Sequence, residues 1–285
     1  MTLEQWLSQW ISLRRAGLAP RTIESYTGLL RNHIAPVLGS VSVESLTADQ
    51  ISALLAALCA AGHTRTAQLC YVLLRAALAA AVRCGRIARS PTELVLRPRH
   101  YAQQRAYLIA ADLARLIAWC ASHPGMYSRA WLLAAVLGLR RGEIAGLRWN
   151  DVDFRQQVIH IRQQRQPGRD AAPPKTHSSI RDIPMPALLS DALRPARGLG
   201  YVVPVSPGRL DRQLPRDLVA AGVPVITLHG LRHSMATAAM QSDCNLRILQ
   251  SILGHSSPST TAQCYCHVRP DDQRQALDNL LTLLV

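Results

Sequence analysis

"QQVIHIRQQRQPGRDAAPPKTHSSIRDIPM", residues 156–185, is where the helical periodicity of the chain gives way. Two short runs, 156–164 and 179–185, alternate apolar with polar residues or carry β-branched ones. That pattern suits strands, and the Gly- and Pro-bearing polar stretch between them suits a loop. The spacing predicts a β-hairpin in an otherwise helical chain. The fold class it sets is mainly α, with a small antiparallel sheet in the second half. The loop ends at Lys175, the only lysine among 32 lysines and arginines. Arginine holds its proton at any ordinary pH, whereas a partly buried lysine can release one. Codon drift would also leave a solitary lysine, so Lys175 gains meaning only beside a reaction that needs a proton donor.

Before the hairpin, residues 1–91 read as a small basic helical bundle. Leu3, Trp6, Leu7 and Trp10 recur at helical spacing, as do Ile23, Tyr26, Leu29 and Leu30 after Pro20. Pro36 and Gly39 close that second helix, Thr47 and Gln50 form a capping-box signal for a third, and a fourth is predicted over about 64–85. Residues 92–106 hold three arginines and Pro98 without periodicity and read as an inter-domain linker. Residues 107–285 form the second domain. Helices are expected near 111–122 and 128–138 before the hairpin, and near 229–241, 245–253 and 272–284 after it.

A formal charge of +14 and an isoelectric point near 10.4 call for a polyanionic partner, with nucleic acid favoured because the arginines run along the whole chain. Hydrophobic content of 48% with 18% charged residues excludes a disordered chain. No apolar run reaches the roughly 18 residues of a membrane span, and the N-terminus, with Glu4 early, does not read as a signal peptide. Seven cysteines at irregular spacing give no disulfide framework. Cys264, Cys266 and His267 could hold a soft metal, but ordinary thiols of a reducing, cytoplasmic compartment are the simpler reading. No metal and no cofactor are expected.

Four stretches gather the chemistry: "LGLRRGEIAGLRW" (137–149), the lysine loop, "HGLRHSMATAAM" (229–240) and "LGHSSPSTTAQCYCHV" (253–268). They offer Arg140, Lys175, His229 with Arg232 three residues on, His255, and Tyr265 ten residues beyond that histidine. His229 and Arg232 share a helix face.

In this set the second half resembles the tyrosine recombinase (phage integrase) family. Its pattern is a GLRxGE-type box, a hairpin lysine, HxxR, LGH and a following tyrosine, all present here in order over roughly residues 105–285. The first half is similar to the family's helical core-binding, SAM-like domain, with weaker motifs. The resemblance implies a two-domain clamp around duplex DNA and site-specific recombination. It makes Tyr265 the nucleophile, giving a 3′-phosphotyrosine link and a free 5′-hydroxyl. Arg140 and Arg232 would clamp the non-bridging oxygens, a role suited to guanidinium forks. His255 would add a hydrogen bond there, His229 would assist removal of the phenolic proton, and Lys175 would protonate the leaving oxygen. The departing strand can then be resealed without ATP, because the phosphodiester is stored covalently.

The expected partners are double-stranded recombination sites and other copies of the chain, four protomers on two sites. An accessory DNA-bending or directionality factor is compatible with this scheme. Because the chain begins almost at once with core-binding helices, it leans toward an Xer-like or small mobile-element recombinase. Glu143 is expected to brace Arg140, and His233 is the rival to His229. Leu137 replaces the usual Thr of the first box, and Cys264 and Cys266 flank the nucleophile where Thr and Ser are more usual. Leu277, Leu280, Leu281 and Leu284 line one face of the helix expected within 272–285, which would pack on its own domain or dock into a neighbouring protomer. Two rivals stand: a type IB topoisomerase-like relaxing enzyme, and a non-catalytic DNA-binding relic, which would show a broken catalytic set where this one is complete.

Overall fold

The computed structural model describes residues 1–100, 106–166, 168, 180–242 and 244–254. The chain divides into two compact units, Met1–Gln103 and Gln104–Val285.

In the first unit, α1 (Leu3–Leu13) starts at a reciprocal capping box between Thr2 and Gln5 and buries Leu3, Trp6, Leu7, Trp10 and Ile11. Helix α2 (Pro20–Leu29) runs through a π-helical turn at Leu30–Ile34 into the short α3 (Ala35–Leu38). Helix α4 (Ala48–Ala60) opens on the Thr47–Gln50 capping box that its sequence announces. Helix α5 (Thr64–Arg83) is the spine: its Ala67, Cys70, Tyr71, Leu74, Leu78 and Ala81 are buried at helical spacing. The indole N–H of Trp6 donates to the Ala77 carbonyl at 3.0 Å, tying α1 to α5. By length and composition α5 could cross a membrane, against the sequence expectation that no run could; half of its apolar window is buried inside the fold. Packing in this unit continues past α5, because Thr92 and Val95, within the stretch expected as a linker, are themselves buried.

The second unit is built around α7 (Met126–Leu137), whose residues are buried on nearly every side, including Trp131, Leu133 and Ala134 at 0% exposure. Around it pack α6 (Ala110–Ser122), α8 (Arg141–Gly146), α9 (Ala187–Leu193), α10 (Pro207–Ala220) and α11 (Leu228–Gln241). The buried Trp131 indole donates to Asp217 of α10 at 2.7 Å, so this core polar pair is satisfied. Helix α12 (Leu246–Leu253) lays Leu249 and Leu253 against α11.

The hairpin forms as predicted: β2 (Val158–Ile161) pairs antiparallel with β3 (Arg181–Pro184), with Val158 opposite Pro184 and Ile161 opposite Arg181. A two-residue strand, β1 (Val152–Asp153), adds to the other edge of β2. The sequence reading has no element between residues 186 and 228, where the structure has α9 and α10. Proline misleads there. Pro186 is the N-cap of α9, Pro207 opens α10, and Pro215 sits inside α10. An interior proline costs a helix about 3 kcal/mol; Leu210, Leu214 and Leu218, all buried, offset it by packing. The helix expected within 272–284 lies outside the described residues.

Candidate active site

Helix α7 ends at Gly138, whose φ of 63° is the left-handed geometry that glycine adopts without strain. A Cβ there would come within 2.6 Å of the Leu253 side chain. That absent methyl lets the end of α12 lie directly over the turn. Arg140 follows in extended conformation and caps α8. Its backbone N–H donates to Glu143 Oε2 at 2.8 Å, its Nη1 to Glu143 Oε1 at 2.9 Å, and its Nη2 to the Gly254 carbonyl at 2.8 Å. Glu143 therefore braces Arg140, as its position in the box suggests. Arg141 pairs with Asp211 of α10 rather than with Glu143.

On α11, Thr227 caps the helix by accepting from the Gly230 N–H at 3.0 Å, which places His229 and Arg232 in its first turns. Arg232 is 1% exposed. Its Nη1 donates to the Gly138 carbonyl at 2.6 Å and its Nη2 to the Leu253 carbonyl at 2.7 Å. One pocket of about 360 Å³ is lined by Arg140, Arg141, Gly142, Asp211, Thr227, Leu228, His229 and Arg232. Three of the six sequence-nominated residues thus meet around one space. The rival His233 packs edge-on against Tyr107, ring centroids 5.2 Å apart, and does not line the pocket. Lys175, His255 and Tyr265 lie outside the described residues, as do Cys264, Cys266 and His267.

The segment that follows β2 is hung on α8. Arg165 N–H donates to the Gly142 carbonyl at 2.9 Å, and Gln163 Nε2 donates to the Gly146 carbonyl at 2.9 Å. A Cβ on Gly142 would approach the Arg165 carbonyl to 2.9 Å, and one on Gly146 the Gln164 Cα to 3.0 Å. Both glycines admit a backbone that a side chain would push away. The arginine box and the base of the lysine loop are thereby locked in register.

Sequence reasoning missed Arg181. This β3 arginine forks Glu143 with two bonds of 3.0 Å and donates Nε to the Ile252 carbonyl at 2.6 Å. A signal was present: alternation along β3 buries Arg181 and Ile183 together, an odd place for a charge. For Glu143, burial is the largest single influence and opposes ionisation, but Arg181 and then Arg140 outweigh it and hold the carboxyl below its ordinary pKa. The buried thiols offer no rival nucleophile: burial raises Cys70 to about 11, and burial followed by the charge of Asp217 raises Cys120 to about 12.

Comparison with known proteins gives these geometries a context. Residues 106–272 match the phage integrase family, and residues 3–96 match the phage integrase central domain. Tyrosine recombinase XerC of Mycobacterium sp. (strain JLS) is 32% identical, over 91% of this chain and 92% of that one. A "XerC-like" tyrosine recombinase of Caldanaerobacter subterraneus subsp. tengcongensis is 29% identical over 54% of this chain, which spans 49% of that longer protein. Among solved structures, the Tn1549 transposon integrase in complex with transposon right end DNA aligns with a TM-score of 0.82 at 22% identity, covering 99% of this chain and 100% of that one. A lambda integrase tetramer bound to a Holliday junction aligns at 0.73 and 22% identity, covering 93% and 77%.

Proposed function

Because the chain belongs to the phage integrase family, we propose that it is a site-specific recombinase that cuts and rejoins duplex DNA through Tyr265. The phenolic oxygen of Tyr265 attacks the scissile phosphorus. An O–P bond to tyrosine forms, the bond from phosphorus to the 5′ oxygen breaks, and the strand is held as a 3′-phosphotyrosine. His229 assists removal of the phenolic proton, and Lys175 gives a proton to the departing 5′ oxygen, which leaves as a hydroxyl. Arg140 and Arg232, with His255, stabilise the charge that builds on the non-bridging oxygens. In the second step the 5′-hydroxyl of the exchanged strand attacks the phosphotyrosine and tyrosine leaves, so bond energy is conserved.

One observation carries this reading. Arg140, Arg232 and His229, from two separate motifs, line a single pocket. Arg140 and Arg232, with Arg141 beside them, border one small space, and guanidiniums gathered there suit an anionic centre that must accept more charge in its transition state. Residues 1–91, with the packed turn through Val95, then serve as the core-binding domain and 107–285 as the catalytic domain, joined through the rest of 92–106, with the phosphate backbone providing most of the affinity. The working assembly is four protomers on two duplex sites in the cytoplasm, in keeping with the tetramer named for the lambda protein.

The test is covalent capture on suicide duplexes of candidate att-like and dif-like sequence. The native chain should form a protein–DNA adduct stable to denaturant, and Tyr265→Phe should form none while still binding the duplex. Relaxation of a supercoiled plasmid lacking any site, with no recombinants, would favour a topoisomerase instead.

A further inference from the structure

Three arginines from three elements converge on one helix end. Arg181 of β3 donates to the carbonyl of Ile252, Arg232 of α11 to that of Leu253, and Arg140 of the α7–α8 turn to that of Gly254. These are consecutive residues at the C-terminus of α12, where carbonyls lack helical partners and carry the negative end of the helix dipole. The residue after Gly254 is His255. Arg140 and Arg232 already have direct roles in the reaction proposed above. Arg181 has none: it does not line the pocket, and its side chain is 7% exposed.

What Arg181 does have is a fork onto Glu143, the carboxylate that also holds Arg140 by backbone and side chain. Glu143 is 2% exposed and bonds to both arginines through both of its oxygens. A charge buried so deeply is expensive, and apolar residues in its place commonly serve stability as well or better. The same network fixes geometry, because a planar guanidinium bonded on two edges has little freedom to turn. Through Glu143 it sets the Arg140 guanidinium, and through its own Nε it sets the last turn of α12.

We infer that Arg181 is a positioning residue that fixes the Arg140 guanidinium and the α12 terminus relative to one another. This rests on the recombinase reading, and it assigns Arg181 to the phosphate-clamping side of the site. Although Arg181 lies on the hairpin six residues after Lys175, its side-chain bonds to described residues go to Glu143 and to the Ile252 carbonyl, on the clamp side.

Arg181→Lys and Arg181→Gln separate these possibilities, measured in the full-length chain beside native protein and Lys175→Ala. The lysine variant keeps the charge and loses the fork. Dissociation constants for a cleavable suicide duplex should stay within about threefold of native, because phosphate contacts over the whole interface set affinity. Single-turnover adduct formation should fall about 10²-fold in both variants, the scale of misplacing one transition-state donor. The same rates are then taken on a duplex whose 5′-bridging oxygen is sulfur, a leaving group that departs without a proton. Lys175→Ala should recover there, and the Arg181 variants should keep their deficit.

Native rates in the Arg181 variants, DNA binding lost in step with cleavage, or full recovery on the sulfur substrate would each overturn the assignment. The last would place Arg181 in service of the lysine. If native protein itself forms no adduct, the recombinase reading fails; an adduct formed equally by native and Arg181 variants sinks this inference alone.

Discussion

The two units use arginine in opposite ways. In the N-terminal unit no charged side chain is buried among the described residues, and its ion pairs, Arg21–Glu24 and Arg89–Glu93, are exposed and local. Its stability comes from an apolar core and from helix caps at Thr2 and Thr47. The C-terminal unit buries Glu143, Arg181 and Arg232 in the midst of its fold. One composition therefore yields a basic surface, where charge is cheap and geometry loose, and a buried cluster, where charge is costly and geometry tight. The difference teaches where to look for chemistry in an arginine-rich chain: at arginines whose bonds are counted, not at those that are numerous.

Glu143→Ala should break the comparison most severely. It leaves the buried Arg181 guanidinium and the partly exposed Arg140 without their carboxylate, and losing one member of such a buried network costs about 3–5 kcal/mol. Urea unfolding followed by hydrogen exchange should assign that loss to the second unit, with protection of α5 unchanged. An N-terminal unit that unravelled equally would mean the two are not energetically distinct.

Acid sharpens the same contrast. Glu143 has a folded pKa held below its unfolded value, despite burial, by Arg181 and Arg140. Its contribution to stability is therefore complete above the unfolded value of about 4.3 and fades as pH falls through the lower folded value. Denaturation midpoints measured from pH 6 downward should decline less steeply in that acid range for Glu143→Gln than for native protein. Parallel curves would remove Glu143 from the account.

Thr47→Ala should cost about 1 kcal/mol, the usual worth of a capping side chain, and leave single-turnover cleavage at saturating protein unchanged. Arg89→Ala should cost less than about 0.5 kcal/mol, since exposed pairs contribute little; a thermal melt resolves both. A large loss at Arg89 would show that the N-terminal unit relies on charge after all.

Much of this was legible in the residues. Apolar spacing located α1 and α2, the capping box at Thr47 marked the start of α4, helices were expected where α5, α6 and α7 stand, and alternation gave the hairpin, though not its register. Helices α9 and α10 were hidden because Pro186, Pro207 and Pro215 read as breaks, while tertiary packing of Leu210, Leu214 and Leu218 overrides that local signal. In the site, motif order nominated Arg140, His229 and Arg232, and the fold brings those three together. Arg181 stayed invisible for a physical reason: its importance lies in contacts to Glu143 and Ile252, 38 and 71 residues away in sequence. Nothing local distinguishes it from its many arginine neighbours except its buried register on β3.

The central claim is that the pocket between α8 and α11 serves phosphoryl transfer to one tyrosine. Peptide mapping by mass spectrometry of a trapped protein–DNA adduct tests it most directly. The account predicts a nucleotide mass on the peptide holding Tyr265, with the yield abolished in Arg232→Gln under conditions where that variant still binds the duplex. A nucleotide on any other residue, or undiminished yield from Arg232→Gln, would contradict it.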